Sequence, residues 1–205
     1  MRPLLLISCL ILLLGCTTAY KSLQPATGNV NDILKFKPIF TTALYKTEVN
    51  VAGRYLSGLL MLKKMADSST RILFSTETGF KFFDFGILND GSFKVYYVIK
   101  QMNKKPVIKT LRKDFEWILM QPLKTSNVII RKDEQFIYYI FPQSKGFNTY
   151  ITNIAGNELV RMERSSKRKP VAEAINKDYR NGLPDSIGIS HKNFNFSIGL
   201  KRVEQ

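Results

Sequence analysis

The sequence contains few of the residues from which most catalytic and metal sites are built. Its 205 residues include one histidine, His191, and two cysteines, Cys9 and Cys16. This supply is too small for a conventional zinc site and excludes a paired cysteine–histidine nucleophile. Glycine and proline are also sparse, at 12 and 8 residues, whereas 44% of the chain is hydrophobic and 12% aromatic. These proportions exclude collagen-like and disordered chains, so we expect one or at most two folded domains without a cofactor.

The chain also lacks an apolar run long enough to span a bilayer. The stretch Leu4–Leu14 has 11 residues, whereas a spanning helix needs about 20. With Arg2 before it, this stretch is typical of the hydrophobic region of a secretory signal peptide. It ends in Leu13-Leu14-Gly15-Cys16, which resembles a bacterial lipobox. The resemblance implies a signal peptide over residues 1–15 and lipidation of Cys16; an ordinary signal peptide with an incidental cysteine is the alternative.

The residues that follow the predicted lipidation site are small and polar. They include Pro25 and Gly28 and lack a hydrophobic period. This composition predicts a flexible tether over residues 16–30. The remaining residues, 31–205, form the predicted folded domain, which is large enough to be stable through its core without a disulfide.

From residue 31 onward the hydrophobic pattern predicts short strands and one or two helices. Phe93–Ile99 alternates between two faces after the hairpin turn Asn89-Asp90-Gly91, and similar segments bring the expected total to about ten strands. Asn31-Asp32 predicts the start of a short helix. A longer helix is expected from Pro106 to about Pro122, because apolar residues recur there at helical spacing.

Several predicted strands are apolar on both faces, which bears on the fold class. In Phe136–Phe141 and Phe80–Phe85 neither parity is polar, whereas a sheet with one face in water alternates cleanly. We therefore expect a mainly β protein with some α structure: an antiparallel, strongly curved, incomplete β-barrel with one or two helices covering its concave face. A closed small barrel or sandwich with a packed interior is the alternative.

An incomplete barrel of this kind encloses a hydrophobic cavity under its helix. Strands and helix both contribute candidates for the lining, and plain core packing is the alternative role for each of them. The candidates are Ile72, Phe74, Phe82, Val95, Tyr97, Leu111, Phe115, Ile118 and Tyr138. Such a cavity is suited to an apolar ligand, because each buried methylene contributes about 0.8 kcal/mol without directional contacts.

Acidic residues are scarce beside basic ones, at 16 against 31, which gives a formal net charge of +15. The candidate basic surface on the long helix comprises Lys105, Lys109, Arg112 and Lys113; a second basic cluster comprises Arg161, Arg164, Lys167, Arg168 and Lys169. Clusters of this kind attract anionic membrane head groups or an acidic protein partner of the envelope. Nucleic acid is not expected as a partner of an exported, lipid-anchored chain. A solvated basic face that aids solubility is the alternative.

Two local passages extend this pattern into a family resemblance. Val51–Leu60 resembles the first strands, and Leu183–Ile189 followed by Phe194–Leu200 resembles the closing strands, of the LolA/LolB superfamily of periplasmic lipoprotein carriers and outer-membrane lipoprotein receptors. The order of elements over about residues 31–203 is similar too, and Gly58–Phe85 followed by Val107–Phe115 resembles small LolB-like lipoproteins of the Bacteroidetes. The resemblance implies a lipid-anchored outer-membrane protein of the cell envelope that faces the periplasm and accepts acyl chains of lipoproteins or lipids.

The sequence also departs from a LolB-type receptor. Such a receptor carries a protruding loop with an apolar tip between two early strands, whereas the equivalent turn here, Thr76–Gly79, is short and polar. A second function is therefore kept open, that of a non-enzymatic structural or accessory envelope lipoprotein that docks a partner through its basic face. No enzyme is expected, because Asp84 is a lone carboxylate among phenylalanines and His191 is interpreted as a surface or packing residue.

Overall fold

The computed structural model describes residues 19–51, 53–121, 123 and 125–203. The predicted signal peptide and the predicted lipidation site, Cys16, lie outside these residues. The described strands are β1 (Gln24–Pro25), β2 (Thr42–Val51), β3 (Arg54–Lys64), β4 (Thr70–Ser75), β5 (Lys81–Ile87), β6 (Phe93–Val98), β7 (Ile129–Lys132), β8 (Phe136–Gln143), β9 (Gly146–Asn153), β10 (Leu159–Ser165), β11 (Pro170–Arg180), β12 (Leu183–His191) and β13 (Phe196–Arg202). The described helices are α1 (Asn31–Leu34), α2 (Lys105–Ile118) and the short 3₁₀ segment Thr125–Asn127.

All thirteen strands belong to one sheet, in the order β1-β7-β8-β9-β10-β11-β12-β13-β2-β3-β4-β5-β6. Neighbouring strands in this order pair antiparallel, as in the long hairpin of β2 and β3. β1 and β6 stand at the two ends of the order and are not neighbours, so the sheet is open. The predicted fold class, a curved antiparallel half-barrel with a helix, is confirmed, whereas the closed barrel is not found. The strand count exceeds the predicted ten.

Local sequence explains where the elements begin and end. Gly91 adopts a positive φ of 79° in the predicted turn between β5 and β6, and its N–H donates to the carbonyl of Leu88. Pro106 stands in the first turn of α2, where a missing N–H costs no hydrogen bond. The helix ends at Ile118, before the predicted end at Pro122, because Met120 adopts a positive φ of 52° that no helix continues.

The sheet has an apolar inner face, against which α2 packs, and a smaller apolar patch on its outer face. Consecutive residues of β8 point to opposite faces, so Tyr139 and Phe141 enter the main core. Tyr138 and Ile140 instead join a second cluster with Tyr20. The two apolar faces of β8 are therefore covered by the main core on one side and by the cluster around Tyr20 on the other, whereas Phe82, Phe83 and Phe85 of β5 all belong to the main core.

The flexible tether predicted for residues 16–30 does not extend over its described part. The N–H of Ala19 donates to the carbonyl of Lys167 at 3.0 Å, and Gln24–Pro25 pairs with β7. The Tyr20 ring contacts Phe147, with ring centroids 6.2 Å apart, and its hydroxyl donates to Glu163 at 2.8 Å. Residues 19–25 are therefore part of the folded domain, because an aromatic ring and strand pairing fix them to the outer face.

Candidate ligand-binding site

A cavity of about 650 Å³ lies between α2 and the inner face of the sheet. This volume falls in the range of about 300–1,000 Å³ that is typical of small-ligand sites. The apolar side chains that line it are Val49, Val51, Leu56, Leu60, Phe74, Phe83, Ile99, Met102, Val107, Leu111, Phe115, Phe196 and Ile198. The wall is therefore almost wholly hydrocarbon and suits an apolar ligand.

Strand register builds one wall of the cavity from three neighbouring strands. Val49 of β2 is paired with Ile198 of β13 on one side and with Leu56 of β3 on the other. Paired residues of an antiparallel ladder project from the same face of a sheet. Because Val51 and Phe196 form the next pair on this face, the two valines and their partners make a continuous apolar surface.

Apart from the buried Thr47, the polar residues of the lining lie on the part of the wall that is exposed to solvent. The lining includes Arg54, Gln101 and Lys104, all of which are exposed to solvent. Arg54 is the first residue of β3, and Lys104 is the N-cap residue of α2. Two positive charges therefore flank the opening of an apolar chamber, an arrangement that suits an amphiphile with an anionic end.

A buried polar cluster ties α2 to the sheet beside the cavity. The Asp114 carboxylate accepts hydrogen bonds from Arg164 Nη1 at 2.7 Å and from His191 Nε2 at 3.0 Å. The Asp114 side chain is fully buried, and that of His191 is 2% exposed. His191 also packs against Phe196, which lines the cavity. Sequence reasoning missed this cluster, because no local signal joins residues 77 positions apart.

Six of the predicted cavity residues belong to the inner core, and three of these reach the cavity. Phe74, Leu111 and Phe115 line it. The other three are buried beside it without lining it, which corrects the prediction for Ile72, Phe82 and Ile118. Phe82 stacks on Phe74 with ring centroids 4.8 Å apart, so it supports a lining residue from behind.

Three predicted cavity residues lie elsewhere, which also corrects the prediction. Val95 and Tyr97 are 40% and 43% exposed on the edge strand β6. The register of β5 and β6 shifts between Asp84 and Phe85, and this irregularity breaks the simple alternation from which Tyr97 was placed inside. Tyr138 lies in the outer-face cluster, because it has the opposite parity to Tyr139 of the main core.

Sequence reasoning also missed the contribution of β2 and β13 to the cavity. Val49, Phe196 and Ile198 were visible as alternating apolar residues of predicted strands, but nothing local indicates that these two strands are neighbours. Their pairing joins the second strand to the last strand of the chain.

Asp84 lies outside the cavity and is held as an ion. Its carboxylate accepts hydrogen bonds from Arg71 Nε and Nη2 and from Lys81 Nζ, the last at 3.1 Å. Burial alone would raise the pKa of Asp84, but the hydrogen bonds and charges of Arg71 and Lys81 outweigh burial and lower the pKa below its usual value. The guanidinium of Arg71 also stacks over the Tyr96 ring at 3.5 Å. This outer-face group is an ion-pair network, with two cations around a single acid.

The predicted basic surface residues Lys105, Lys109, Arg112 and Lys113 are exposed on α2. All but Lys105 line a second, more polar groove of about 380 Å³, together with Lys145. Within the described ranges, no helix is long and apolar enough to cross a bilayer, and no cluster of three histidine, cysteine, aspartate or glutamate side chains is placed to hold a metal ion.

The sequence matches no protein-family model and no curated protein. Among solved structures, it is similar in fold to a DUF1329 family protein from Desulfovibrio piger, with a TM-score of 0.48 and 9% identity over 85% of this chain and 88% of that one. It is also similar to an outer membrane lipoprotein-sorting protein domain from Vibrio parahaemolyticus, with a TM-score of 0.47 and 8% identity over the same shares. Both likenesses are of chain arrangement and not of sequence.

Proposed function

We propose that this protein binds an acyl chain of a lipid or lipoprotein in the cavity beneath α2, and that it acts by binding and not by catalysis. The observation that carries the proposal is the cavity of about 650 Å³ with its hydrocarbon wall. The sequence resemblance to lipoprotein carriers and receptors implies the same ligand class.

The energetics of such a ligand suit the wall. Each methylene transferred from water to an apolar site contributes about 0.8 kcal/mol. Burial of a dozen methylenes therefore supplies about 10 kcal/mol before the costs of association and ordering are subtracted. No directional contact is needed for this part of the affinity, which agrees with the small number of polar groups in the lining.

The charges at the opening favour a ligand whose polar end is anionic. Arg54 and Lys104 are both exposed and both line the cavity. A carboxylate or phosphate at the end of a buried chain would lie beside these cations.

From the sequence resemblances to a lipobox and to lipoprotein carriers and receptors, we also propose that the protein is a lipid-anchored acceptor or transport factor of the outer membrane, facing the periplasm, with Cys16 as its lipidation site.

The experiment that tests the proposal is a titration of the purified protein with a fluorescent fatty acid, followed by displacement with an unlabelled acylated peptide. We expect saturable binding with one probe per protein and full displacement. A fluorescence change that does not saturate, or that the acylated peptide leaves unaltered, would contradict a defined acyl site.

A cavity-filling variant and a matched control locate the site. Leu56→Trp adds six heavy atoms to a partly buried lining side chain. If half of these displace ligand methylenes, about three methylenes lose their place, which corresponds to about 2.4 kcal/mol and about 50-fold weaker binding. Val95→Trp makes a similar change on exposed β6 and is expected to leave the affinity unaltered. Equal loss in both variants would place the probe outside the cavity.

A further inference from the structure

Two basic clusters that are far apart in the sequence meet at one end of the sheet, where β8 and β10 end in turns. The groove of about 380 Å³ is lined by Lys109 and Lys113 of α2, by Lys145 in the turn between β8 and β9, and by Ser165 and Ser166. The next three residues along the chain are Lys167, Arg168 and Lys169, which are exposed in the turn between β10 and β11. The groove and this turn therefore form one basic surface.

Much of this positive charge has no acidic partner. Arg112 is paired with Glu116, and Arg164 is paired with Asp114. In the part of the chain that the structure describes, the ammonium groups of Lys109, Lys113 and Lys145 make no ion pair with a carboxylate. Partial burial lowers the pKa of Lys113, and the charges of Arg164, Lys109 and Lys145 lower it further, against the opposing charge of Glu116. An anion in the groove would relieve this repulsion.

Ala19, the first residue that the structure describes, lies at the same end of the sheet. The N–H of Ala19 donates to the carbonyl of Lys167 at 3.0 Å. Cys16 precedes Ala19 by three residues, and three extended residues span at most about 11 Å. The predicted lipidation site is therefore close along the chain to the residue that contacts the basic turn.

The cavity reaches this end of the sheet as well. Its lining includes Val51, Arg54 and Phe196, which lie where β2 ends and where β3 and β13 begin. Because neighbouring strands are antiparallel, these strand ends lie at the same end of the sheet as the turn that follows β10. The exposed Phe194 belongs to the turn between β12 and β13 at that end.

We propose that this end of the sheet is a membrane-docking surface, in which Lys109, Lys113, Lys145 and the turn Lys167–Lys169 contact the head groups of an anionic bilayer. A basic surface and an acyl anchor together hold a protein to a membrane more firmly than either alone. Docking in this orientation places the cavity opening toward the bilayer. This docking does not depend on what the cavity binds. If the protein docks at this end but binds no acyl chain, only the proposed function is contradicted.

The test is hydrogen–deuterium exchange on the full acylated protein reconstituted into two kinds of vesicle. One kind contains phosphatidylcholine alone, and the other contains equal parts of phosphatidylcholine and phosphatidylglycerol. We expect residues 144–146 and 166–169 to be more protected on the anionic vesicles, and high salt to remove the difference. The same exchange in both vesicles would overturn the proposal. Equal protection by inorganic phosphate on neutral vesicles would also overturn it, in favour of a site for a free anion.

Charge reversal separates docking from a general charge effect. Each basic residue near an anionic surface contributes about fivefold to association, so Lys167→Glu/Arg168→Glu/Lys169→Glu is expected to weaken the contact at least about 100-fold and abolish the protection. The control, Lys63→Glu/Lys132→Glu/Lys177→Glu, makes the same change at exposed positions in the opposite half of the sheet. It is expected to retain the protection, and equal loss in the two variants would contradict a specific surface.

Discussion

Asp114 is the residue whose loss is expected to weaken the attachment of α2 most. Its carboxylate is fully buried and accepts hydrogen bonds from Arg164 and His191. Asp114→Ala leaves the guanidinium of Arg164, whose side chain is 13% exposed, without its counter-charge. Breaking a buried ion pair in this way costs about 3–5 kcal/mol. This is a large part of the 5–15 kcal/mol by which a domain is ordinarily stable.

Urea unfolding at neutral pH measures this loss, and the protein carries its own reporter. Trp117 is the single tryptophan of the chain, and its ring lies 5.7 Å from the Arg164 guanidinium carbon. Its fluorescence therefore reports on the segment that Asp114 holds. The control, Glu158→Ala, removes an exposed carboxylate and is expected to change the free energy of unfolding by less than about 0.5 kcal/mol.

The size of the loss shows whether Arg164 depends on the Asp114 carboxylate as its counter-charge. A loss below about 1 kcal/mol for Asp114→Ala would show that water or side-chain movement compensates the unpaired charge of Arg164. It would contradict a stabilising role for the buried polar cluster. The double variant Asp114→Leu/Arg164→Met removes both charges together. It is expected to recover most of the lost stability, because no unpaired charge remains.

Three further predictions concern individual positions. Gly58→Ala should destabilise by about 1–3 kcal/mol in urea unfolding, because an added Cβ collides with the backbone carbonyl of Ser75, whereas Gly199→Ala, with open space around it, should not. The lowered pKa of Asp84 stabilises the fold above pH 4, and this contribution is lost as the pH falls through that pKa; Asp84→Asn should therefore flatten the loss of stability between pH 5 and pH 2, and an unaltered profile would contradict the ion-pair network. Tyr20→Phe should cost about 1 kcal/mol and speed amide exchange over residues 19–25, since it removes the hydroxyl that donates to a buried glutamate; unchanged exchange would show that the ring alone holds the segment.

Local sequence signals located most of the longer elements, but they did not assign the faces of every strand. The turn at Gly91 and the position of Pro106 in the first turn of α2 follow from residue type alone, and the structure confirms both. Tyr97 was placed on the wrong face, because a register shift against β5 breaks the alternation and no single-strand pattern shows where a bulge lies. Tyr138 was misplaced for a different reason: in an all-apolar strand, either parity is an equally good candidate for the core.

Long-range pairings account for most of what the sequence did not reveal. The hydrogen bond between Asp114 and His191 links α2 to β12, and the pairing of β2 with β13 builds the cavity wall. The two-residue strand Gln24–Pro25 pairs with β7 inside a segment that has no hydrophobic period. In each case the partner is distant in the chain, and composition near one member carries no information about the other.

Photo-crosslinking shows directly whether an acyl chain occupies the cavity. A fatty acid with a diazirine near its methyl end is bound, irradiated and mapped onto the protein by tandem mass spectrometry. If an acyl chain occupies the cavity, we expect labels on Leu60, Phe74 and Leu111, which line it. Labels confined to the exposed β6 or to the outer-face cluster around Tyr138 would contradict this occupancy.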